Sequence, residues 1–319
     1  MPLTNEELLE KATLLTTDFP GTGGSAPLSI EAADRFIEMM QADNVMLNDV
    51  RTVTSRAAKW QEATLDFSSR VAKPGVEFTR LASGDRTKPA NSMIEISTVL
   101  LRGEVPVSDE VMEDNIARDA LAGNLERLIA NRFGYDIEEL LINGDTGSGD
   151  AYLAQLNGWL KQAQGSGGHV VDASADGQDY QTIFKKLLQQ IPARHKKNLQ
   201  TDARFYVPIV LEEQYRDILA NRGTALGDLL LQSDGSLKYQ GIKIQGVPHF
   251  PVTAGTPDKS NILLAHRQNL IAGYRRAITF ESFRDPREGG TSFVVTARVD
   301  AKISWVPATA IATNVDVEI

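Results

Sequence analysis

The stretch that decides the fold is residues 103–160, GEVPVSDEVMEDNIARDALAGNLERLIANRFGYDIEELLINGDTGSGDAYLAQLNGWL. It begins like the end of a strand, continues as one long acidic helix and closes in a glycine-rich turn. We predict the helix over residues 109–141, because Ser108 is a good N-cap and the acidic residues after it face the positive end of the helix dipole. At 1.5 Å per residue this helix is roughly 50 Å long, which suits a structural spine.

The predicted spine helix carries an apolar stripe with the helical period of 3.6 residues. The residues of this stripe are Leu121, Leu125, Leu128, Ile129, Phe133, Ile137 and Leu140. Asn143 and Gly144 follow the last apolar residues and are typical of a helix end. We therefore expect one face of the helix to lie on a sheet.

Composition and charge bound the classes of protein that the chain can be. It has 319 residues, of which 42% are hydrophobic and 24% charged, an ordinary globular balance with enough chain for two domains. Apolar runs are too short for a membrane span, and the first residues lack the pattern of a signal peptide, so membrane insertion and export are not expected. Cysteine is absent, which removes disulfides and thiolate chemistry and fits a reducing cytoplasm. The net charge of −9 argues against broad affinity for nucleic acid.

The first 57 residues are predicted to be an N-terminal arm with helices. A capping-box pattern at Thr4 to Glu7 opens a short helix, and the Gly- and Pro-rich residues 18–27 form a linker. A second helix is predicted over residues 29–43, where apolar residues again recur at helical spacing. The arm is either a frayed terminus or a tether that lies across a neighbouring subunit.

Residues 58–100 are predicted to form an extended β-hairpin, with strands at 63–71 and 93–100 and a polar tip between them. An isolated two-stranded ribbon is marginal in water, so this hairpin needs another surface to pack on. Residues 66–88 hold five basic and three acidic residues, a net +2, whereas residues 109–139 hold nine acidic and three basic, a net −6. The opposite charges indicate that hairpin and helix meet, within one chain or across an interface; a mobile loop over a solvated helix face is the alternative. The candidate contact residues are Arg70, Lys73, Arg80, Arg86, Lys88, Glu113, Asp114, Asp119 and Glu126.

Two further regions have clear patterns. Residues 176–262 are predicted to be an α/β unit, opened by an amphipathic helix that starts at Asp179 and stops at Pro192. Strands are predicted at 203–207, 242–247 and 262–265, and a second helix around Leu211 to Leu219. Near the C-terminus, residues 293–305 alternate strictly between apolar and polar side chains, which predicts a long strand with one buried face.

These segments, in this order, resemble the major capsid proteins of tailed bacteriophages, which have the Hong Kong 97 fold. The resemblance is carried by Val105-Pro106-Val107-Ser108, by the long helix that ends in Leu141-Ile142-Asn143-Gly144-Asp145, and by Leu156-Asn157-Gly158-Trp159-Leu160. It implies an α+β fold in which the spine helix lies over a β-sheet, with an α/β axial domain, an extended hairpin called the E-loop and an N-terminal arm. The implied division is arm 1–57, hairpin 58–100, peripheral domain 101–175, axial domain 176–262, and return to the peripheral domain 263–319.

The resemblance also implies a function and a set of partners. Copies of the chain would associate as hexamers and pentamers into an icosahedral shell around double-stranded DNA, without sequence-specific binding. The other partners that the resemblance implies are a scaffolding protein, a portal and a decoration protein. The chain would be assembled in the host cytoplasm and become part of the virion. No large scaffolding segment precedes the arm, so a separate scaffolding protein is expected unless a propeptide has been removed. The alternatives are an encapsulin-like compartment shell and a soluble α/β enzyme that uses the loop 144–150.

Patterns that would indicate catalysis are weak in this sequence. The loop Asp145-Thr146-Gly147-Ser148-Gly149-Asp150 lacks the ending of a P-loop and the spacing of a calcium-binding EF-hand, so a tight turn after a helix is the favoured interpretation. The four histidines have no metal-ligand spacing, and no serine lies in a nucleophile-elbow context. We therefore assign no catalytic, cofactor-binding or metal-binding residue and do not expect an enzyme.

Overall fold

The computed structural model describes residues 44–317, apart from 56, 58, 67–69, 76, 81, 83, 85, 89, 109, 111–117, 197–198, 221–236, 276–278 and 286–288. For residues 64–66, 90–92 and 118–126 it describes the backbone alone. Three predicted parts therefore lie outside the described residues: residues 1–43 of the arm, most of the first three turns of the spine helix, and the loop after residue 220. The rest of the predicted arm is described as a short helix, Val45–Asp49, and a strand, Arg51–Ser55, and this strand was not predicted. The described part is a mixed α+β fold.

The described residues form six α-helices and fourteen strands. The helices are α1 (Val45–Asp49), α2 (Arg118–Asn143), α3 (Trp159–Ala163), α4 (Tyr180–Gln190), α5 (Leu199–Asp202) and α6 (Ile209–Ala220). The strands are β1 (Arg51–Ser55), β2 (Lys59–Asp66), β3 (Ala90–Ser97), β4 (Val99–Ser108), β5 (His169–Asp172), β6 (Ala203–Pro208), β7 (Lys238–Tyr239), β8 (Ile242–Val247), β9 (Val252–Thr253), β10 (Asp258–His266), β11 (Leu270–Arg275), β12 (Thr279–Asp285), β13 (Gly290–Ile303) and β14 (Ala310–Val317). Short 3-10 helices lie at Leu153–Gln155, Ala193–His195, Arg267–Asn269 and Val306–Ala308.

A five-stranded sheet is built around the long strand β13. Strand β4 pairs with one edge of β13, and β12 and β11 pair with the other edge, all antiparallel. Strand β1 adds to β11 in parallel. Helix α2 packs on this sheet, because Ile137 and Leu140 belong to the same core as Val295, Ala297 and Val299. The described part of the predicted long helix therefore lies on this sheet.

The predicted C-terminal strand is β13, and its alternation is confirmed on the apolar face. Phe293 and every second residue as far as Ile303 are buried. The other face departs from the simple pattern, because Asp300 there is buried as well. The predicted last residue, Trp305, lies beyond the strand, where its backbone N–H donates to Asn269 Oδ1 at 2.7 Å.

A seven-stranded sheet forms the second layer, in the order β5-β14-β10-β6-β8-β7 with β9 beside β10. Helices α4 and α6 pack on one face around buried Phe184 and Tyr215. The predicted helix start is confirmed, since Asp179 Oδ1 accepts a hydrogen bond from Thr182 N at 3.3 Å. Strands β5 and β14 come from outside residues 176–262 yet pair within this sheet. The predicted division into axial and peripheral domains stays a prediction.

Strands β2 and β3 pair antiparallel from Lys59 opposite Ser97 to Asp66 opposite Ala90. The predicted hairpin is thus present, but its strand bounds are wrong by about four residues. The apolar pair Trp60 and Ile96 lies at the base of the ribbon, where Ile96 is fully buried against the five-stranded sheet. Burial at the base, rather than the β-propensity of residues 63–71, sets where the ribbon begins.

One member of the predicted apolar stripe faces the wrong way. Leu128 is 62% exposed, whereas Ile137 is fully buried. The two residues are nine positions apart, about 2.5 helical turns, which places them on opposite sides of α2. The side chains of Leu121 and Leu125 lie outside the described residues.

Candidate assembly surfaces

The junction at the end of α2 joins two of the three stretches that carry the resemblance, Leu141–Asp145 and Leu156–Leu160. Gly158 N donates to Gly144 O at 2.8 Å. A Cβ on Gly158 would lie 2.5 Å from Ile142 O, and one on Gly144 would lie 2.6 Å from Leu156 O. Both distances are shorter than any allowed contact with backbone, so only glycine fits either position. The Asn-Gly dipeptides at 143–144 and 157–158 are therefore required by a close backbone approach.

The loop that follows this junction uses its polar groups internally. Asp145 Oδ1 accepts from Gly147 N at 2.9 Å, and its Oδ2 pairs with Lys161 Nζ at 2.8 Å. The hydrogen bond from Lys161 is the main cause that lowers the pKa of Asp145. Asn157 Oδ1 accepts from both the backbone and the hydroxyl of Thr146 at 3.0 Å. This geometry is that of a tight turn, and the described residues hold no cluster of three His, Asp or Glu suited to a metal ion.

Glu138 is a buried carboxylate on α2. From the sequence it was counted among the acids that were expected to face the basic hairpin. It was one of the nine acids counted on the helix, but it is only 1% exposed. Its Oε1 accepts from Met46 N at 2.6 Å and from Leu47 N at 3.1 Å, so it caps α1. Its spacing of three and four residues from Leu141 and Ile142 put it on the buried face, and that signal was present in the sequence. Glu138 is therefore not available to pair with the hairpin.

His249 lies beside Glu138 in the same buried pocket. Its Nε2 is 3.8 Å from Glu138 Oε2, too far for a hydrogen bond, and its ring packs edge-on against Tyr135. Burial is the main cause that lowers the pKa of His249 to about 4, and the positive charge of Arg132 adds to it. Burial raises the pKa of Glu138. The sequence carried no signal for this pair, because the two residues are far apart along the chain.

The predicted interface residues divide into those the structure describes and those it does not. Arg70, Lys73, Arg80, Arg86 and Lys88 are all exposed on the tip of the hairpin. Glu113 and Asp114 lie outside the described residues, and Asp119 and Glu126 lie in α2 with their side chains not described. The pairing of basic hairpin with acidic helix therefore stays a prediction.

The hairpin also exposes apolar side chains. Phe78 at its tip is fully exposed and has a positive φ of 56°, and Met93 is 61% exposed. A large apolar side chain that the subunit itself leaves uncovered marks a surface for contact with another molecule when other such residues lie near it. Val71 is also exposed, so three large apolar side chains of the same hairpin are uncovered, and the hairpin is a candidate assembly surface.

None of the described helices combines the length and apolar character that a bilayer span requires.

Comparison with known proteins gives one consistent result. The Phage capsid family matches residues 24–311 of the chain. The putative prophage capsid protein YqbE of Bacillus subtilis (strain 168) is 32% identical over 302 residues, which cover 93% of this chain and 94% of that protein. Among solved structures, the satellite phage P4 procapsid including the size determination (Sid) protein is similar with a TM-score of 0.67 and 14% identity, covering 98% of each chain. The holo-SrpI encapsulin complex of Synechococcus elongatus PCC 7942 is similar with a TM-score of 0.58 and 13% identity, over 99% of this chain and 98% of that chain. The chain therefore belongs to the phage capsid family.

Proposed function

We propose that this protein is the major capsid protein of a tailed double-stranded DNA bacteriophage, with the Hong Kong 97 fold. Copies would associate as hexamers and pentamers into an icosahedral shell that encloses the genome. The observation that carries this proposal is the capsid family match, which spans residues 24–311 and so includes the hairpin, α2, the five-stranded sheet and every strand of the seven-stranded sheet except most of β14. The protein would be assembled in the host cytoplasm and become part of the virion.

In this proposal, the hairpin is the E-loop and lies over the adjacent subunit. The exposed basic side chains at its tip would face the acidic side of the spine helix of a neighbouring subunit. Phe78 would be covered by that subunit. Individual exposed ion pairs contribute only about 0 to 1 kcal/mol, so the charges orient the subunits more than they hold them together. A closed shell is durable because release of one subunit requires many such contacts to break together.

Other partners follow from the same proposal. A scaffolding protein would guide assembly, a portal would occupy one vertex, and a decoration protein is a further candidate. The DNA would be enclosed without sequence-specific contacts. A net charge of −9 also does not favour strong binding to its phosphates.

The encapsulin-like alternative is favoured by one observation, the similarity of fold to the SrpI complex. At 13% identity that similarity concerns the fold alone, whereas the 32% identical relative is described as a prophage capsid protein. An encapsulin would enclose a cargo protein rather than DNA. The enzyme alternative has no such support, because the loop after α2 uses its carboxylates within the turn.

The test of the main proposal is to express the full chain and examine its particles. Size-exclusion chromatography with light scattering and negative-stain electron microscopy should show closed shells, rings or capsomers, alone or with a scaffolding partner. A well-folded monomer that stays monomeric with the scaffolding partner would contradict the proposal. Shells of a single small diameter that contain a protein cargo would favour the encapsulin alternative.

A second test addresses the charged interface. Reversal of Lys73, Arg80 and Lys88 to Glu should block assembly, and simultaneous reversal of the acids Glu113, Asp114, Asp119 and Glu126 to Lys should restore part of it. The matched control reverses Lys185, Lys196 and Lys238, which are exposed outside the hairpin, with the same change in net charge. Equal loss of assembly in the control would show that net charge, and not the hairpin, is responsible.

A further inference from the structure

The base of the hairpin is held by one buried carboxylate of the five-stranded sheet. Asp300, near the C-terminal end of β13, is 3% exposed, and its Oδ2 accepts a hydrogen bond from Ser97 N at 2.7 Å. Ser97 is the last residue of β3, and a single residue separates it from β4. The bond therefore acts at the point where the hairpin leaves the body of the subunit.

A carboxylate at this position is costly for the fold. Burial raises the pKa of Asp300, although the charge of Lys302 and the N–H of Ser97 act in the opposite direction. The Nζ of Lys302 lies 3.8 Å from Asp300 Oδ2, so the charge is only partly compensated. A buried charge of this kind adds little net stability compared with a well-packed apolar residue, but its directional hydrogen bond can specify one arrangement.

A glycine completes the site from the neighbouring strand. Gly273 of β11 is the cross-strand partner of Asp300, so the two positions lie side by side on the sheet. A Cβ on Gly273 would lie 2.8 Å from Ile96 Cγ2 and 3.1 Å from the Trp60 ring. Ile96 and Trp60 are themselves a cross-strand pair at the base of the hairpin. The absence of a side chain at Gly273 thus lets the hairpin base sit directly on the sheet.

We propose that Gly273 and Asp300 form a socket that sets the direction in which the hairpin leaves the subunit. Gly273 admits the apolar pair Trp60 and Ile96, and Asp300 fixes the rotation of the ribbon through the Ser97 N–H. Asp300 is then a positioning residue for the contact between the hairpin and a second copy of the chain. That last step rests on the proposed shell function, whereas the socket itself does not.

The experiment measures the direction of the hairpin in the full chain. Because the chain contains no cysteine, Met93→Cys and Ile209→Cys place one spin label on the exposed side of the hairpin and one on the body. Pulsed electron–electron double resonance gives the distribution of distances between the two spin labels. Labelled chain is diluted in unlabelled chain so that only distances within one chain are measured. This distribution is compared among Asp300→Asn, Asp300→Val, Gly273→Ala and the control Thr296→Val, which lies on the same strand between β4 and β12.

The variants separate the hydrogen bond from the charge. Asp300→Asn keeps an oxygen acceptor for Ser97 N and should give the wild-type distribution, as should Thr296→Val. Asp300→Val removes the acceptor and Gly273→Ala fills the socket, so both should shift the mean distance by several ångströms or broaden the distribution. Folded Asp300→Val and Gly273→Ala proteins with the wild-type distribution would overturn the proposal.

Two further measurements keep the test decisive. If neither sheet variant gives a cooperative unfolding transition, Trp60→Ala empties the socket from the hairpin side, and an unchanged distribution in that variant would overturn the proposal. Shell assembly is measured separately by light scattering. A wild-type chain that never assembles contradicts the shell function and leaves the distance result valid, whereas normal shells from a variant with a shifted hairpin would contradict only the role of Asp300 in subunit contacts.

Discussion

The junction after α2 and the hairpin β2–β3 differ in how many of their contacts lie within the subunit. At the junction, Gly144 and Gly158 bring two backbone segments into contact, and the loop beside them pairs its carboxylates internally. In the hairpin, the apolar pair at the base is packed on the sheet, while Phe78 and the basic side chains at the tip point outward. The difference shows that the junction completes its contacts within the subunit, whereas the hairpin leaves the large apolar side chain of Phe78 exposed. A shell subunit needs both, because it must fold before it meets its neighbours.

The largest effect is expected from a substitution at the junction. Gly158→Ala would place a Cβ 2.5 Å from Ile142 O and 2.8 Å from Gly144 N, so backbone must move. We expect a loss of about 3 kcal/mol or more in the free energy of unfolding, or no folded protein. Urea unfolding of the isolated subunit measures this. The matched control is Gly149→Ala, where a Cβ meets nothing within 4 Å and stability should change by about 0.5 kcal/mol or less.

The next effect concerns the buried carboxylate that caps α1. Glu138→Ala leaves the N–H groups of Met46 and Leu47 without their buried acceptor, which should cost about 2 to 4 kcal/mol. Glu138→Gln keeps one acceptor oxygen and should cost less. Thermal and urea unfolding distinguish the two variants, with Glu139→Ala as the neighbouring control. Equal losses in all three variants would show that the capping bonds are not responsible.

The histidine beside this carboxylate should make stability depend on pH. The pKa of His249 is lowered from 6.5 to about 4 in the folded state, so only the unfolded chain gains this proton as the pH falls between those values. The contribution of His249 to the free energy of unfolding is therefore complete above pH 6.5. It is lost as the pH falls toward 4, by up to about 3 kcal/mol. His249→Phe keeps a ring against Tyr135 and should remove this part of the loss.

The comparison requires unfolding curves at several pH values for wild type, His249→Phe and a control, His169→Gln. The raised pKa of Glu138 acts in the opposite direction, because its contribution is complete below its ordinary pKa and is lost as the pH rises. That contribution is present in all three proteins and largely cancels in the differences. A difference between wild type and His249→Phe that does not vary with pH would contradict the assignment.

The smallest effect on subunit stability is expected in the hairpin. Phe78 is fully exposed, so Phe78→Ser should change the free energy of unfolding by about 0.5 kcal/mol or less. Under the proposed function, the same variant should raise the protein concentration needed for assembly, measured by light scattering. If Phe78→Ser lowered the stability of the subunit but left assembly unchanged, Phe78 would act within the subunit, and the proposed contrast between hairpin and junction would be wrong.

Much of the fold could be predicted from local sequence patterns. Helix α4 was predicted from its apolar spacing and from Asp179 as its cap, and β13 from its alternation, because both patterns depend on neighbours along the chain. The end of α2 and the turn after it were predicted from Asn143 and Gly144, and the capsid resemblance from the order of these segments.

Other features followed only from contacts between distant parts of the chain. Glu138 was counted with the other acids of the spine helix although its spacing from Leu141 and Ile142 indicated the buried face, and nothing in the sequence indicated that Asp300 is buried. Their hydrogen-bond partners, Met46 and Ser97, lie 92 and 203 residues away in sequence. Similarly, Leu128 belonged to an apolar pattern but lies on the exposed side of α2, since the packing of the sheet selects which face is buried.

The sequence by itself therefore determined the family and the type and order of several main elements, namely the hairpin strands, α2, α4, β6, α6, β8, β10 and β13, but it did not predict β1, β5, β11, β12 or β14. The tertiary structure alone decided which charges are buried, where the hairpin is anchored and which glycines are required by contact. The physical reason is that helix and strand periodicity depends on residues a few positions apart, whereas burial and hydrogen bonding depend on which distant segments meet.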